Sequence, residues 1–133
     1  MTPETAQQIL QEAFAPWVRA LSPTITEINQ NRCVMTIPLT PDVMRIGNIV
    51  SGQALAALAD TAMVFACFGH LDEVAPFGTV TLDTQFLRPG TGDAIRAEAE
   101  VTRAGKSMIF ARSTLIAEPS EKPVALATAT FAR

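Results

Sequence analysis

Histidine occurs once in the 133 residues, at His70, and cysteine twice, at Cys33 and Cys67. Neither cysteine belongs to a CxxC pair or has a cluster of histidine or carboxylate beside it, which excludes a zinc site and a disulfide framework; both read as small buried apolar residues. Basic runs are missing too. Lysine and arginine are scattered, the formal net charge is −3 and the pI is near 5.0, so the chain carries no nucleic-acid or anionic-membrane footprint. The opening stretch MTPETAQQILQEAF has no basic region followed by an apolar core and is not a secretory signal, which makes the cytoplasm the expected compartment. There is no internal repeat, linker or low-complexity segment. One domain over 1–133 is expected, long enough to bury a core without staples.

What the chain does have is apolar surface. A hydrophobic fraction of 48% against 17% charged residues implies that some of it is buried between subunits. The stretch Gly47 to Gly69 holds a single formal charge, Asp60. Within it Leu55, Leu58, Ala59, Ala62, Met63 and Ala66 recur at helical spacing among small or apolar neighbours, which predicts a helix covered on nearly all sides. Ile46 to Leu71 is long enough to span a bilayer, but Asp60 near its middle, polar Asn48, Ser51 and Gln53 at its entry, and alanines in place of leucines argue against a membrane span.

Around that helix the pattern changes. Thr2-Pro3-Glu4 starts a helix over 1–21 whose apolar face includes Ile9, Leu10, Ala13, Phe14 and Trp17, with Pro16 limiting its last turn. Phe14 and Trp17 are expected to pack, a ligand pocket being the other use for them. A hairpin follows: Ile25 and Ile28, a turn at Asn29-Gln30-Asn31, then Cys33 to Leu39. Pro41 to Asn48 reads as a loop, and His70 sits where it can serve the C-terminal end of the long helix. In Thr79 to Arg88, Thr79, Thr81, Asp83 and Gln85 alternate against Val80, Leu82, Thr84 and Phe86. Asp93 to Thr102 turns Ile95, Ala97, Ala99 and Val101 inward, and strands at 107–117 and 124–131 complete an expected four-strand meander. The result is an α+β fold with one sheet curled about one helix.

Several motifs then fall in a known order: Gly47, Gly52, Ala59-Asp60-Thr61-Ala62, Phe86-Leu87-Arg88-Pro89, Gly92, and the turn Arg103-Ala104-Gly105-Lys106. Over residues 22–133 the chain resembles the hotdog-fold acyl-CoA thioesterases, in particular the phenylacetate-degradation (PaaI-like) group. The resemblance implies a curved antiparallel sheet wrapped around one long central helix, with the N-terminal helix added. It also implies a homodimer, often paired into a dimer of dimers, with active sites at the subunit interface. The chain departs from the family signature at two places: Arg45 stands for an asparagine, and Ser51-Gly52-Gln53 for His-Gly-Gly.

Thioester hydrolysis needs a carboxylate that attacks the carbonyl or activates water, and donors aimed at the developing oxyanion. Asp60 is the carboxylate. Gln53, Ala56, Asp60, Val64 and Cys67 share one helix face. The Gly52 and Gln53 amides, at the positive end of the helix, are the oxyanion donors that the resemblance also implies, and Ser51 suits the N-cap or a substrate contact. Thr79 falls where relatives carry a hydroxyl that touches substrate or the attacking water from the neighbouring subunit. Arg88, Arg103 and Lys106 are the residues the resemblance assigns to the nucleotide part of coenzyme A. Arg45 is expected to pair with Asp60 or to recognise an acyl carboxylate. No metal or redox cofactor is called for, coenzyme A entering as part of the substrate. The competing class is a non-catalytic acyl-CoA or small-ligand binding protein on the same scaffold; a hotdog hydratase needs a catalytic histidine that His70 is badly placed to supply.

Overall fold

The computed structural model describes residues 1–133. Thr2 caps the first helix, α1 (Pro3–Ala13), its hydroxyl accepting from the Thr5 amide at 3.2 Å while Pro3 occupies the first turn. The expected single helix over 1–21 is two pieces. Phe14 and Ala15 are extended, as the residue before a proline prefers, and a one-turn helix α2 (Pro16–Arg19) follows. α1 buries Ala6 and Leu10, whereas Trp17 is left 62% exposed and does not pack as expected.

β1 (Thr24–Ile28) and β2 (Cys33–Pro38) form the expected hairpin. The segment read as a loop, Pro41 to Asn48, holds β3 (Met44–Arg45), which pairs with β4 (Ile49–Val50) just beyond it in a small hairpin that leads into α3 (Gly52–Leu71). Then come β5 (Gly78–Phe86), β6 (Ala94–Ala104), β7 (Met108–Glu118) and β8 (Lys122–Ala132). They make one antiparallel sheet in the order β1-β2-β6-β7-β8-β5. The meander therefore covers only β6, β7 and β8. β5 crosses to the far edge and pairs with β8, because the Pro89-Gly90 connection does not fold back as a hairpin: the Gly90 carbonyl accepts from the Val50 amide at 3.0 Å and ties the link to β4.

Along β6, β7 and β8 alternate residues face the helix, and many are alanines (Ala97, Ala99, Ala111, Ala125, Ala127 and Ala129), which lets α3 lie close to the sheet. Ile95, Ile109, Leu115 and Phe131 fill the space against Leu58, Met63 and Phe65 of α3. α3 is apolar and long enough to cross a membrane by composition, yet most of it is enclosed by this sheet. One strip stays uncovered: Gln53, Ala56, Ala57, Asp60 and Val64 are not buried, so the helix is less fully wrapped than its composition predicts.

The two sheet edges differ. On β1, the Gln7 side chain from α1 accepts from the Ile25 amide and donates to the Pro23 carbonyl, both at 2.9 Å, occupying backbone groups that a further strand would need. β5 has no strand on its outer side and is exposed along nearly its whole length, including Val80, Leu82 and Phe86.

Candidate active site

Strict alternation along β5 puts Thr79 on the outer face with Thr81. A β-bulge between Thr79 and Thr81 breaks that alternation. Thr79 pairs with buried Phe131 and Thr81 with Thr130, so the bulged Val80 shifts Thr79 to the helix side, the face shared by Leu82, Thr84 and Phe86. There its hydroxyl donates to Asp60 Oδ1 at 3.0 Å, within one chain. Asp60, half-buried on α3, has its pKa raised by desolvation, an effect that the Thr79 hydrogen bond partly offsets. No cation faces it. Arg45 instead donates to the Ile46 carbonyl at 3.1 Å and lies elsewhere, so the expected Arg45–Asp60 pair is absent.

Asp60 and Thr79 lie at the wall of a cavity of about 460 Å³ whose other lining is apolar. α1 contributes Ile9, Ala13 and Phe14, α3 contributes Val64 and Phe68, and the segment Val74–Phe77 closes the side. Phe14 stacks on Phe65 with ring centroids 5.2 Å apart, so it packs and lines the cavity at once. The sequence reading missed Ile9, Ala13 and the 74–77 segment as site residues; the apolar run Val74-Ala75-Pro76-Phe77 was the available signal, being less polar than a solvated turn.

The opposite end of α3 is built differently. Ser51 Oγ accepts from the Ala54 amide at 3.2 Å, which commits the hydroxyl to capping. The Leu55 amide bonds the Ser51 carbonyl, leaving the Gly52 and Gln53 amides without an acceptor in the chain. Phe86 covers this turn so closely that a Cβ at Gly52 would lie 3.3 Å from its ring. Gly52, Phe86, Arg45 and Arg88 line a second cleft of about 370 Å³, with Gln53 exposed beside it. Arg45 and Arg88 thus share one site and neither has a carboxylate partner.

Arg103 and Lys106 fall at the other end of β5. The Arg133 guanidinium bonds the Gly105 carbonyl of their turn, and its neighbour Ala132 pairs with Gly78, next to Thr79. Of the remaining candidates, Cys67 is buried and both thiols are pushed up to about 12 by burial, which makes them unreactive. His70 Nδ1 lies 3.0 Å from the Gln30 carbonyl, tying the end of α3 to the β1–β2 turn, while Asp72 in the left-handed region terminates the helix. Nowhere do three His, Cys, Asp or Glu side chains converge as a metal site would require.

Gln53 and Asp60 are seven positions apart, about 10 Å along a helix. A single carbonyl cannot sit within about 3 Å of both the Asp60 carboxylate and the free amides of the same helix. The Asp60–Thr79 pair and the free amides therefore lie apart within one chain.

Residues 47–124 match the family model described as the thioesterase superfamily. The chain is 28% identical to the medium/long-chain acyl-CoA thioesterase YigI of Escherichia coli K12, over 98% of this chain and 96% of that protein. It is 34% identical to the acyl-coenzyme A thioesterase PaaI of the same organism, over 66% of this chain and 61% of that one. In three dimensions it superposes on zebrafish thioesterase superfamily member 2 with a TM-score of 0.87, at 20% identity, covering 98% of that chain and 99% of this one.

Proposed function

The chain belongs to the thioesterase superfamily and is a thioester hydrolase; from that premise we propose that it hydrolyses acyl-CoA at sites shared between two copies, Asp60 and Thr79 from one and the Gly52-Gln53 turn from the other. The observation that carries the reading is the Asp60–Thr79 hydrogen bond placed at the wall of an apolar cavity, far along α3 from the unpaired amides.

Pairing two β5 edges antiparallel about a two-fold axis near Leu82 and Asp83 sets the Thr79 end of one strand beside the Phe86 end of the other. Phe86 covers Gly52, so the same operation carries Asp60 toward the partner's Gly52. The open β5 edge, its exposed Val80, Leu82 and Phe86, and the uncovered strip on α3 supply the surface for such a homodimer. Arg45 and Arg88 from one chain and Arg103 and Lys106 from the other then rim one mouth, suited to the phosphates of coenzyme A. Arg45 therefore moves from the acyl group to the coenzyme A side. Pairing of dimers into a tetramer stays part of the proposal.

Two chemical routes fit. As general base, Asp60 takes a proton from water as the oxygen adds to the thioester carbon; the oxyanion rests on the Gly52 and Gln53 amides, and its collapse breaks the C–S bond while the thiolate recovers the proton. As nucleophile, the carboxylate adds first, expels the thiolate and forms an anhydride that water cleaves. Thr79 orients the carboxylate through Oδ1 in either case. Thiol release from a panel of acyl-CoAs is expected for the wild type and lost in Asp60→Asn. Turnover that survives in Asp60→Asn would sink the assignment of Asp60.

A further inference from the structure

We infer that the cavity behind Asp60 receives a neutral hydrocarbon acyl group end-on, and that α1 sets the length it accepts. This rests on the hydrolase reading above and names its substrate class. The cavity begins at the reacting carboxylate and runs between α3 and the N-terminal helix, where Ile9 and Ala13 meet it. Its volume of about 460 Å³ lies within the range of small-ligand pockets.

Charge decides the acyl chemistry. Asp60 is the only ionisable side chain among the lining residues, and Thr79 the only other polar one. An acyl chain ending in a carboxylate would carry that charge along the apolar wall toward Ile9 and Ala13, with no cation in this chain's lining to receive it, so dicarboxylic acyl groups are disfavoured. A chain bearing hydroxyl groups would leave them unpaired along the Val64, Phe68 and Phe77 wall. Hydrocarbon alone is transferred there at a gain. Each methylene that enters is worth about a fourfold rise in kcat/KM until the chain reaches α1.

Ala13 lines the cavity yet is exposed as a whole residue, so a larger side chain there narrows the far end without disturbing the core. Ile9 is partly buried against the core and reaches the same end.

The test is a kcat/KM series on straight-chain acyl-CoAs from acetyl to dodecanoyl, with glutaryl-CoA as the acidic control, for wild type, Ala13→Trp and Ile9→Ala. The expected outcome is a rise with length to a maximum, a shift of that maximum to shorter chains in Ala13→Trp and to longer chains in Ile9→Ala, and glutaryl-CoA at least a hundredfold below its neutral counterpart. Identical length profiles in all three proteins, or equal turnover of glutaryl-CoA, would overturn the inference while leaving the hydrolase reading intact. Absence of turnover on every substrate would instead remove that reading. The same length series is then read from dissociation constants on Asp60→Asn: tighter binding with each methylene supports the cavity, and no length dependence refutes it.

Discussion

Asp60 is kept in a setting that does not favour its charge. Burial raises its pKa above that of an unfolded chain, so the native state binds this proton more tightly than the unfolded state does. Between the two pKa values the unfolded state loses its proton first, and stability falls as pH rises through that window. Above it the ionised carboxylate is a standing cost to the fold. Asp60→Asn should therefore raise Tm at pH 7, with the gain disappearing below the ordinary aspartate range, while kcat falls about 10²- to 10⁴-fold. Calorimetry across pH and the thiol-release assay check the two halves. Thr79→Val has a different signature. Its hydroxyl now holds the Asp60 pKa down, so its removal should move the acid limb of the kcat/KM profile to higher pH and lower the plateau about tenfold. A profile that drops without shifting would show that Thr79 acts elsewhere.

At the scale of elements, α3 and the strands were legible because their periods are strong. Leu55, Leu58, Ala62 and Met63 repeat as a helix does, and Ile95, Ala97 and Ala99 as a half-buried strand does, and those faces are the buried ones. Asp60 stood out as one charge in an apolar helix, and the Ser51 cap was readable from residue type alone. What escaped was set by geometry that no local period carries. The Val80 bulge reverses the facing of Thr79, and the Gly90–Val50 bond sends β5 to the far edge. Arg45 could be matched to Asp60 only while the distance between the two ends of α3 was ignored. The seat of α3 against the β1–β2 turn is another such contact: a Cβ at Gly69 would lie 2.6 Å from the Asn29 carbonyl oxygen. Gly69→Ala should destabilise by about 1–3 kcal/mol in urea unfolding. Gly78→Ala, where nothing lies within 4 Å, serves as the control and should change stability by less than about 0.5 kcal/mol.

For the molecule as a whole, the proposed sharing of each site between two copies predicts that activity depends on association. Leu82 is 39% exposed on the open edge, so Leu82→Lys should leave the chain folded but monomeric, and inactive for want of the second half-site. Sedimentation and circular dichroism read the two properties separately. A monomer that retains full turnover would refute shared sites. Mixing Asp60→Asn with Gly52→Pro subunits gives a second reading. Proline at the first helical position deletes one amide donor without breaking the helix, and random exchange should restore about a quarter of wild-type activity from pairs holding one intact site.

Gln7 closes one edge of the sheet. With its amide clasping both the Ile25 N–H and the Pro23 carbonyl, one rim of the sheet is already spoken for. In the vocabulary of polymer chemistry each chain then has a functionality of one at its sheet edges: under the proposed pairing it couples edge to edge once, through β5, and any pairing of dimers uses another surface. A chain open at both rims would be bifunctional and free to add strands at each end, and the Gln7 contacts close one of those rims.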